Sequence, residues 1–389
     1  MDKYLYWLDN VFYLGDSAKQ KLMQKFQTGE AVYRAGEKEL KKLLDEKKSN
    51  LICNSRKEWD LDKKYEEIQQ KRIHMVTLGE NTFPVNLQNI SDPPFALYYK
   101  GRLPEEAIPS VAIIGARQCS EYGRYIAQEL GKCLGENHIQ VISGMASGID
   151  GISQYSAAQA GGRSFGVLGC GVDVCYPKSN QRLYDELVNS GGILSSYPPG
   201  TQPLKQFFPL RNRIVSGLAD VLVVIEARQK SGTSITVEMA LEQGKDIYAV
   251  PGRVTDRLSD GCNKMLREGA HVFLSPHDFL QELQQLLPDK MACALRRKVK
   301  ELLNNEGMCK LSKNEMDKRM DADDKYNKIQ AVLDFYPQYV DGIADRLKNE
   351  QGFDISTEKL NALLVQMCLL DLVKQESSGW FSKVSMEIS

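Results

Sequence analysis

The chain has 389 residues, of which 42% are hydrophobic and 26% are charged. These values are typical of a globular protein with two or three domains and exclude wholesale disorder. The 50 Lys and Arg residues are balanced by 51 Asp and Glu residues, so an anion site has to be local. The N-terminus lacks a signal pattern and no apolar run reaches about 18 residues, so we expect a cytoplasmic protein without membrane insertion.

The cysteines and histidines do not form a catalytic or metal-binding pattern. Nine Cys residues are scattered, and the closest pair, Cys170 and Cys175, lacks the two-residue spacing of zinc and redox motifs. Cys170 lies in a Gly-rich turn and could act as a nucleophile, but no His offers it an evident base, so a buried thiol is favoured. We therefore expect reduced thiols, no metal and no cofactor.

Residues 1–73 are predicted to form a small helical domain. Apolar residues recur at three- and four-residue spacing over 19–26, 37–44 and 60–71, which favours short amphipathic helices. From His74 the pattern becomes extended, and the segment 96–101 indicates a strand that leads into the next domain.

Short apolar strands alternate with amphipathic helices from residue 110 to about 287. Strands are predicted at 111–114, 140–142, 164–168, 193–194, 221–225, 247–250 and 271–273, and helices at 121–135, 151–159, 181–189, 233–243 and 263–268. Such alternation favours a parallel sheet covered on both faces, because each crossover returns the chain to the same edge. The fold class is therefore α/β, with a Rossmann-like, doubly wound, mostly parallel sheet within residues 74–287.

The C-terminal part divides into two segments. Residues 288–327 are rich in charged side chains and poor in apolar ones, which predicts a linker that is helical in part. Residues 328–389 show helical patterns at 329–335, 340–348 and 357–370 and a hairpin at 372–384, which together predict a winged helix. Its third helix carries Lys359 as its one cation, with Glu358 and Asp371 at its ends. Because duplex binding needs a basic footprint, a partner-docking module is favoured over a DNA-reading regulator.

The loops after the strands are the expected site, because an open parallel sheet binds ligands at the carboxyl ends of its strands. Loop 115–123, Gly-Ala-Arg-Gln-Cys-Ser-Glu-Tyr-Gly, enters a helix whose free N–H groups favour an anion, and Arg117 adds a charged fork. Loop 143–150, Ser-Gly-Met-Ala-Ser-Gly-Ile-Asp, offers further backbone donors. The first loop, taken alone, could instead be a tight glycine turn with a surface Arg. Neither G-x-G-x-x-G nor G-x-x-x-x-G-K-[ST] occurs, which disfavours a classical NAD or ATP site.

The segment 195–213 concentrates cations beside aromatic rings, namely Lys205, Arg211, Arg213, Phe207 and Phe208. Cations for phosphates next to flat rings for bases are what a single-stranded nucleic acid requires, since unpaired bases can stack. A plainer interpretation is that one Phe covers the core and Arg213 pairs with a carboxylate such as Asp220 or Glu226, which we expect for part of the segment. Loop 169–178 ends in Tyr-Pro-Lys, and loop 226–234 either closes the crevice or caps a helix.

Taken in order, these loops contain a series of short motifs. They are Ala-Ile-Ile-Gly-Ala-Arg at 112–117, Ser-Gly-Met-Ala-Ser-Gly-Ile-Asp at 143–150, Tyr-Pro at 176–177, Phe-Pro-Leu-Arg-Asn-Arg-Ile at 208–214, Ser-Gly-Thr-Ser-Ile-Thr at 231–236, Val-Pro-Gly at 250–252, Gly-Cys-Asn at 261–263 and Gly-Ala at 269–270. In this order the motifs resemble the DNA-processing protein A family, also called Smf. The helical head is similar to that family's sterile-alpha-motif-like domain, and the winged helix extends the resemblance over nearly the whole chain.

The resemblance implies a Rossmann-like domain that binds single-stranded DNA. The strand contacts that it implies are Arg117, Ser143, Gly144, Lys205, Phe208, Arg211 and Asn212, and the same loops add Gly115, Lys178 and Arg213 to the candidate set. Three positions depart from the family pattern: Ala116 stands where a hydroxyl residue is common, Gln154 where a His is common, and Ser196 where a Glu is common. These departures affect the detail of the pocket and not its existence, because its cations and rings remain.

The resemblance also implies a homodimer that protects strands and loads the RecA recombinase in natural transformation and recombination, with single-strand-binding protein as a further candidate partner. The segment 276–287 is a candidate apolar face for self-association, with Phe279, Leu280, Leu283, Leu286 and Leu287. The same residues could instead belong to a helix that covers the sheet.

An enzyme is the alternative class, because Rossmann-like nucleotide phosphoribohydrolases share the signature P-G-G-x-G-T-x-x-E. The nearest stretch, residues 230–238, lacks the leading Pro-Gly-Gly and places Glu238 two positions late. On a helix this shift turns the carboxylate by about 200°. We therefore expect a non-catalytic strand-binding protein.

Overall fold

The computed structural model describes residues 2–306, 328–329, 331–333, 338–369, 373–377 and 379–383. The chain divides into two compact units, Met1–Glu301 and Leu302–Ser389. The first unit contains the N-terminal helices and a nine-stranded sheet, and the second contains helices and a three-stranded sheet. Among the described residues, no helix is long and apolar enough to cross a lipid bilayer.

Six short helices precede the sheet. They are α1 (Lys3–Asp9), α2 (Asp16–Phe26), α3 (Gly29–Arg34), α4 (Glu37–Leu43), α5 (Glu46–Glu58) and α6 (Leu61–Gln70). Four of them begin after a side chain that accepts a hydrogen bond from an N–H of the first turn, those of Asp2, Thr28, Asp45 and Asp60. Such caps fix where a helix starts. Helices α2, α4 and α6 confirm the predicted ones, whereas α1, α3 and α5 were not predicted.

A buried polar network joins these helices to the sheet. Tyr98 of the sheet is fully buried, and its hydroxyl donates to Asp9 Oδ2 at 2.6 Å and accepts from Asn10 Nδ2 at 3.2 Å. Lys19 Nζ lies 2.7 Å from the other carboxylate oxygen of Asp9, and both side chains are buried. The helices also share a hydrophobic core with the sheet. Residues 1–73 therefore lie within the first compact unit.

The sheet has the mostly parallel, Rossmann-like architecture that was predicted. Its strands are β1 (His74–Thr77), β2 (Ala96–Gly101), β3 (Ser110–Ile114), β4 (Gln140–Ser143), β5 (Ser164–Val167), β6 (Gly192–Ser195), β7 (Val221–Val224), β8 (Asp246–Ala249) and β9 (His271–Val272). Their order is β1-β2-β6-β5-β4-β3-β7-β8-β9. Strands β3 to β9 pair in parallel, whereas β2 is antiparallel to both β1 and β6.

Helices cover both faces of the sheet: α7 (Val85–Gln88), α8 (Glu121–Glu136), α9 (Ile149–Gln159), α10 (Gln181–Ser190), α11 (Phe207–Leu218), α12 (Gly232–Glu242), α13 (Asp260–Arg267) and α14 (Pro276–Leu286). On β3, Val111 and Ile113 belong to the core that includes residues of α8 and α14. Ala112 and Ile114 belong to the core that includes residues of α11 and α12. Because successive side chains point to opposite faces, a strand buried on both sides is a continuous apolar run.

Helix α11 was not predicted, although its sequence carries the signal. Phe207, Leu210, Ile214 and Leu218 recur at three- and four-residue spacing, the pattern of an amphipathic helix. Pro209 lies in the first turn, where proline is tolerated because the N–H it lacks has no intrahelical partner.

Helix α14 and the next helix, α15 (Pro288–Glu306), occupy the segment considered for self-association and the first part of the expected linker. Phe279 and Leu283 of α14 are buried in the sheet core, so much of the apolar face considered for self-association is used within the chain. The expected linker begins with α15, which packs on the first unit. Ala294 is buried, and Lys290 Nζ lies 2.6 Å from Asp220 Oδ1.

The second unit has the element order of a winged helix. Residues 328–329 and 331–332 are helical, and β10 (Gln338–Tyr339), α16 (Val340–Gln351), α17 (Thr357–Leu369), β11 (Val373–Ser377) and β12 (Trp380–Lys383) follow. The strands pair in the order β10-β12-β11. Leu347, Leu364 and Phe381 share its core. The rest of the predicted segments 329–335, 357–370 and 372–384 lies outside the described residues.

The network around Tyr98 gives a test of how the N-terminal helices are held. We expect Tyr98→Phe to lower the free energy of unfolding by about 1–3 kcal/mol, because it leaves the buried Asp9 carboxylate without one of its donors. Urea unfolding of the full chain measures this, with Tyr13→Phe at an exposed ring as the control. An effect no larger than that of the control would contradict the assigned role.

Candidate functional site

A cleft of about 590 Å³ lies at the carboxyl edge of the sheet. Its walls come from the loops after β3, β4 and β5, from the start of α12, which follows β7, and from α11. In the sheet, β3 lies between β4 and β7, so the chain winds outward in opposite directions from this point. Open α/β sheets bind ligands at such a switch point.

Helix α11 presents one face to the cleft. Phe208, Arg211, Asn212 and Val215 all line it, and positions spaced by three and four residues share a helix face. The next residue, Arg213, points away from this face. Its guanidinium contacts the carboxylate of Asp92 and lies 3.7 Å from Asp16 Oδ2.

Arg211 is buried at the floor of the cleft, with 4% of its surface exposed. Its guanidinium donates to the carbonyl of Gly144 at 2.8 Å and to the carbonyl of Val167. Burial lowers the pKa of Arg211 to about 10, with the nearby Asp150 opposing this shift. Arg211 therefore stays charged at neutral pH and ties α11 to the ends of two strands.

Gly144 and Asp150 complete this buried contact. A Cβ at Gly144 would lie 2.7 Å from Arg211 Nη2 and 2.8 Å from Asp150 Oδ2, so any side chain there would displace both charged groups. The N–H of Gly144 donates to Asp150 Oδ2 at 3.1 Å. Burial raises the pKa of Asp150, and the Arg211 charge opposes the rise.

Exposed cations and a ring lie above this floor. Arg117 and Lys205 are exposed and line the cleft. The Arg117 guanidinium carbon lies 5.8 Å from the centre of the Phe208 ring, within the range of a cation–π contact. The Tyr176 ring lies 5.3 Å from the same ring. Among the described residues, no ion pair involves Arg117 or Lys205, so both charges are available to a ligand.

The cleft thus brings together seven of the ten predicted site residues: Gly115, Arg117, Gly144, Lys205, Phe208, Arg211 and Asn212. The other three do not line it. Ser143 is buried, and its hydroxyl donates to the carbonyl of Ile113. Lys178 is exposed in a 3₁₀ turn. Arg213 pairs with carboxylates, as the plainer interpretation required, although they are Asp92 and Asp16 and not the two that were suggested.

Some of the backbone donors expected for an anion are occupied by the chain itself. At the start of α8, the Ser120 N–H donates to Glu226 Oε2 at 3.0 Å, and the Ser120 hydroxyl donates to the same carboxylate. In the loop after β4, the Met145 N–H donates to Gln154 Oε1 at 3.0 Å. A buried carboxylate or amide of the chain therefore takes one of the N–H groups that each loop was expected to offer to an anion.

The start of α12 also lines the cleft, although the sequence did not predict a ligand contact there. Ser231, Gly232 and Thr233 line the cleft, and Ser231 makes no side-chain cap. Its hydroxyl oxygen is buried without a hydrogen-bond partner. The first N–H groups of a helix have no intrahelical acceptor. The sequence signal for this part of the cleft is the run Ser-Gly-Thr-Ser at 231–234, which was interpreted only as a lid or a helix cap.

The three departures from the family pattern fall in different places. Ala116 lines the cleft, so a methyl group takes the place of a hydroxyl there. Gln154 is buried and donates to the carbonyl of Phe165 at 2.8 Å while it accepts from Met145. It therefore holds the loop and does not face the cleft. Ser196 does not line the cleft.

The residues considered for catalysis lie apart from the cleft. Cys170 is fully buried, and burial raises the pKa of its thiol to about 12, so little reactive thiolate forms at neutral pH. Glu238 is exposed on α12 and does not line the cleft. In the described part of the chain, no group of three or more His, Cys, Asp or Glu side chains is placed to hold a metal ion.

Two relatives are similar to this chain in sequence. The DNA processing protein DprA of Streptococcus pneumoniae is 43% identical over 205 residues, which cover 53% of this chain and 72% of that protein. The protein of the same name from Bacillus subtilis is 35% identical over 218 residues, which cover 56% of this chain and 73% of that protein.

Two solved structures agree with the fold. The X-ray structure of DNA processing protein A from Streptococcus pneumoniae covers 72% of this chain and 98% of its own, with a TM-score of 0.65 and 34% identity. A structure of the Helicobacter pylori protein, described as showing a unique single-stranded DNA binding mode, covers 55% of this chain and 96% of its own, with a TM-score of 0.50 and 30% identity. The family model for DNA recombination-mediator protein A matches residues 74–284. The chain therefore belongs to the DNA recombination-mediator protein A family.

Proposed function

We propose that the cleft binds single-stranded DNA without cutting it. The observation that supports this most directly is the pair of exposed cations, Arg117 and Lys205, that line one open cleft together with the Phe208 ring. Cations neutralise successive phosphates, and a ring stacks on an unpaired base of any identity. Duplex bases are already stacked on each other, so the ring favours a single strand.

Two further observations support this ligand. The floor of the cleft is the buried Arg211, which donates to the carbonyls of Gly144 and Val167 near the buried Asp150, and this gives a rigid base and leaves recognition to the exposed side chains above it. The Helicobacter pylori relative is described by its single-stranded DNA binding mode. No observation favours a nucleotide hydrolase, since Glu238 lies outside the cleft and the buried thiol of Cys170 is a poor nucleophile.

The protein then acts by holding and presenting the strand. We propose that it protects DNA strands and helps to load RecA onto strands coated with single-strand-binding protein, in the cytoplasm of its host. The second unit is proposed as a docking module, because Lys359 of α17 has Glu358 beside it and Asp371 follows the helix in the sequence.

We propose that the protein presents the DNA strand as a homodimer. Helix α14 is largely committed to the sheet core, but strand β9 is an outer strand of the sheet and both its residues, His271 and Val272, are exposed. Leu274, which follows β9, is 72% exposed. An exposed edge strand offers unpaired backbone groups to a second copy, and two clefts in one dimer raise avidity without new contacts.

The exposed cleft residues give the first binding test. We expect Lys205→Ala to weaken binding of a fluorescent oligothymidylate and to lower the slope of log affinity against log salt by about 0.7, because one phosphate contact is lost. Phe208→Ala should cost about 1–3 kcal/mol of stacking. Lys21→Ala on α2 and Phe12→Ala in the turn before it, both at exposed positions, are matched controls. Equal binding by both cleft variants and both controls would reject the cleft as the site.

Arg211 is expected to behave differently from Lys205. Arg211→Ala leaves Asp150 buried without its opposite charge, so we expect about 3–5 kcal/mol of destabilisation and a lower melting temperature together with weaker binding. Lys205→Ala should leave the melting temperature unchanged. Calorimetry of both variants checks this, and an Arg211→Ala protein as stable as the parent would contradict the structural role.

The proposed presentation role is tested with RecA. Adding the protein should restore ATP hydrolysis by RecA on a strand coated with single-strand-binding protein, and sedimentation should show a dimer at micromolar concentration. Leu274→Asp should shift the protein towards a monomer, because a charge in the contact has to be desolvated. A monomeric parent protein without effect on the hydrolysis rate would contradict the proposed presentation.

A further inference from the structure

A second group of exposed cations and rings lies at the same edge of the sheet as the cleft. It consists of Tyr122 and Tyr125 at the start of α8, Arg228 after β7, and Arg253 and Arg257 after β8, here called the edge patch. All five side chains are exposed. Strands β3, β7 and β8 are neighbours in the sheet and parallel, so the loops that follow them emerge at one edge.

Hydrogen bonds fix the members of the edge patch relative to each other. The Ala227 N–H donates to the carbonyl of Leu258 at 2.8 Å, which places the loop after β7 against the loop after β8. The Tyr122 hydroxyl donates to the carbonyl of Pro251 at 3.1 Å, which places the start of α8 against the same loop. The cations on the two loops and the rings on α8 therefore share one surface.

The edge patch is continuous with the cleft. Ser120, two residues before Tyr122, is bonded through its N–H and its hydroxyl to Glu226, two residues before Arg228. Three residues after Arg228, Ser231 lines the cleft. Arg117, on the loop that leads to α8, lines it as well. A strand that leaves the cleft at this end therefore meets the edge patch next.

The charge of the edge patch favours a polyanion. The segments 227–232 and 250–259 contain four cations and one carboxylate, Asp256. In the part of the chain that the structure describes, no ion pair involves the three arginines of the edge patch. Tyr125 is 59% exposed and Tyr122 48% exposed, so two rings stand beside unpaired cations, the combination that binds single strands.

We propose that the edge patch is a second contact for the same single strand, taking the phosphates and bases that continue from the cleft. The proposal rests on the function proposed for the cleft. Arg228, Arg253 and Arg257 contact phosphates, while Tyr122 and Tyr125 stack on bases. The patch therefore lengthens the bound stretch of DNA and distinguishes long strands from short ones.

The test compares two oligothymidylates, of about six and about twenty nucleotides, by fluorescence polarisation with the full chain. We expect Arg253→Ala/Arg257→Ala to weaken binding of the long strand about tenfold and to lower its salt slope by about 1.4, with binding of the short strand unchanged. Tyr125→Ala should also weaken only the long strand, about tenfold. The matched control is Lys38→Ala/Lys42→Ala, which removes two exposed charges from α4.

Each outcome decides the proposal. Unchanged long-strand binding in both edge-patch variants overturns it, and so does an equal loss for both strand lengths or an equal loss in the control pair, because either would report net charge alone. If the parent protein binds neither strand, the proposed function of the cleft fails first. A loss confined to the long strand and absent from the control establishes the second contact.

Discussion

The candidate site depends on one buried contact, the guanidinium of Arg211 held between two strand ends. It donates to the carbonyls of Gly144 and Val167, which follow β4 and end β5. Asp150 supplies the opposite charge. Because a buried charge is costly unless it is paired and bonded, the start of α11 can occupy few other positions. This contact orients the helix that carries Phe208 and Asn212, so the geometry of the cleft follows from it.

A second constraint is that internal acceptors take several of the backbone donors around the cleft. Glu226 occupies the start of α8, and Asp150 and Gln154 occupy the loop after β4. Internal carboxylates at these positions repel a bound anion and leave recognition to exposed side chains. Contacts between exposed charges and phosphates depend strongly on salt, whereas stacking on a ring does not depend on base identity. A site built in this way favours strands of any sequence.

The sheet and most residues of the cleft could be predicted from the sequence, but the direction of each side chain could not. Strands buried on both faces are continuous apolar runs, which is why β3 to β8 were predicted to within one residue at each end. Helix α11 was not predicted, because the cations among its apolar residues make its helical periodicity less evident. Without the helix, Arg211 and Arg213 look equivalent, although one lies at the floor of the cleft and the other pairs with Asp92. Contacts between residues far apart in the chain, such as Glu226 with Ser120, leave no local pattern.

The central claim is that the cleft recognises unpaired strands through exposed cations and a ring. The most direct measurement is a competition titration in which a labelled single-stranded oligonucleotide is displaced by unlabelled single-stranded or duplex DNA of the same sequence, at several salt concentrations. We expect the single strand to compete far better at every salt concentration, and the logarithm of its affinity to fall linearly with the logarithm of the salt concentration. Duplex DNA that competes equally well or better would contradict it.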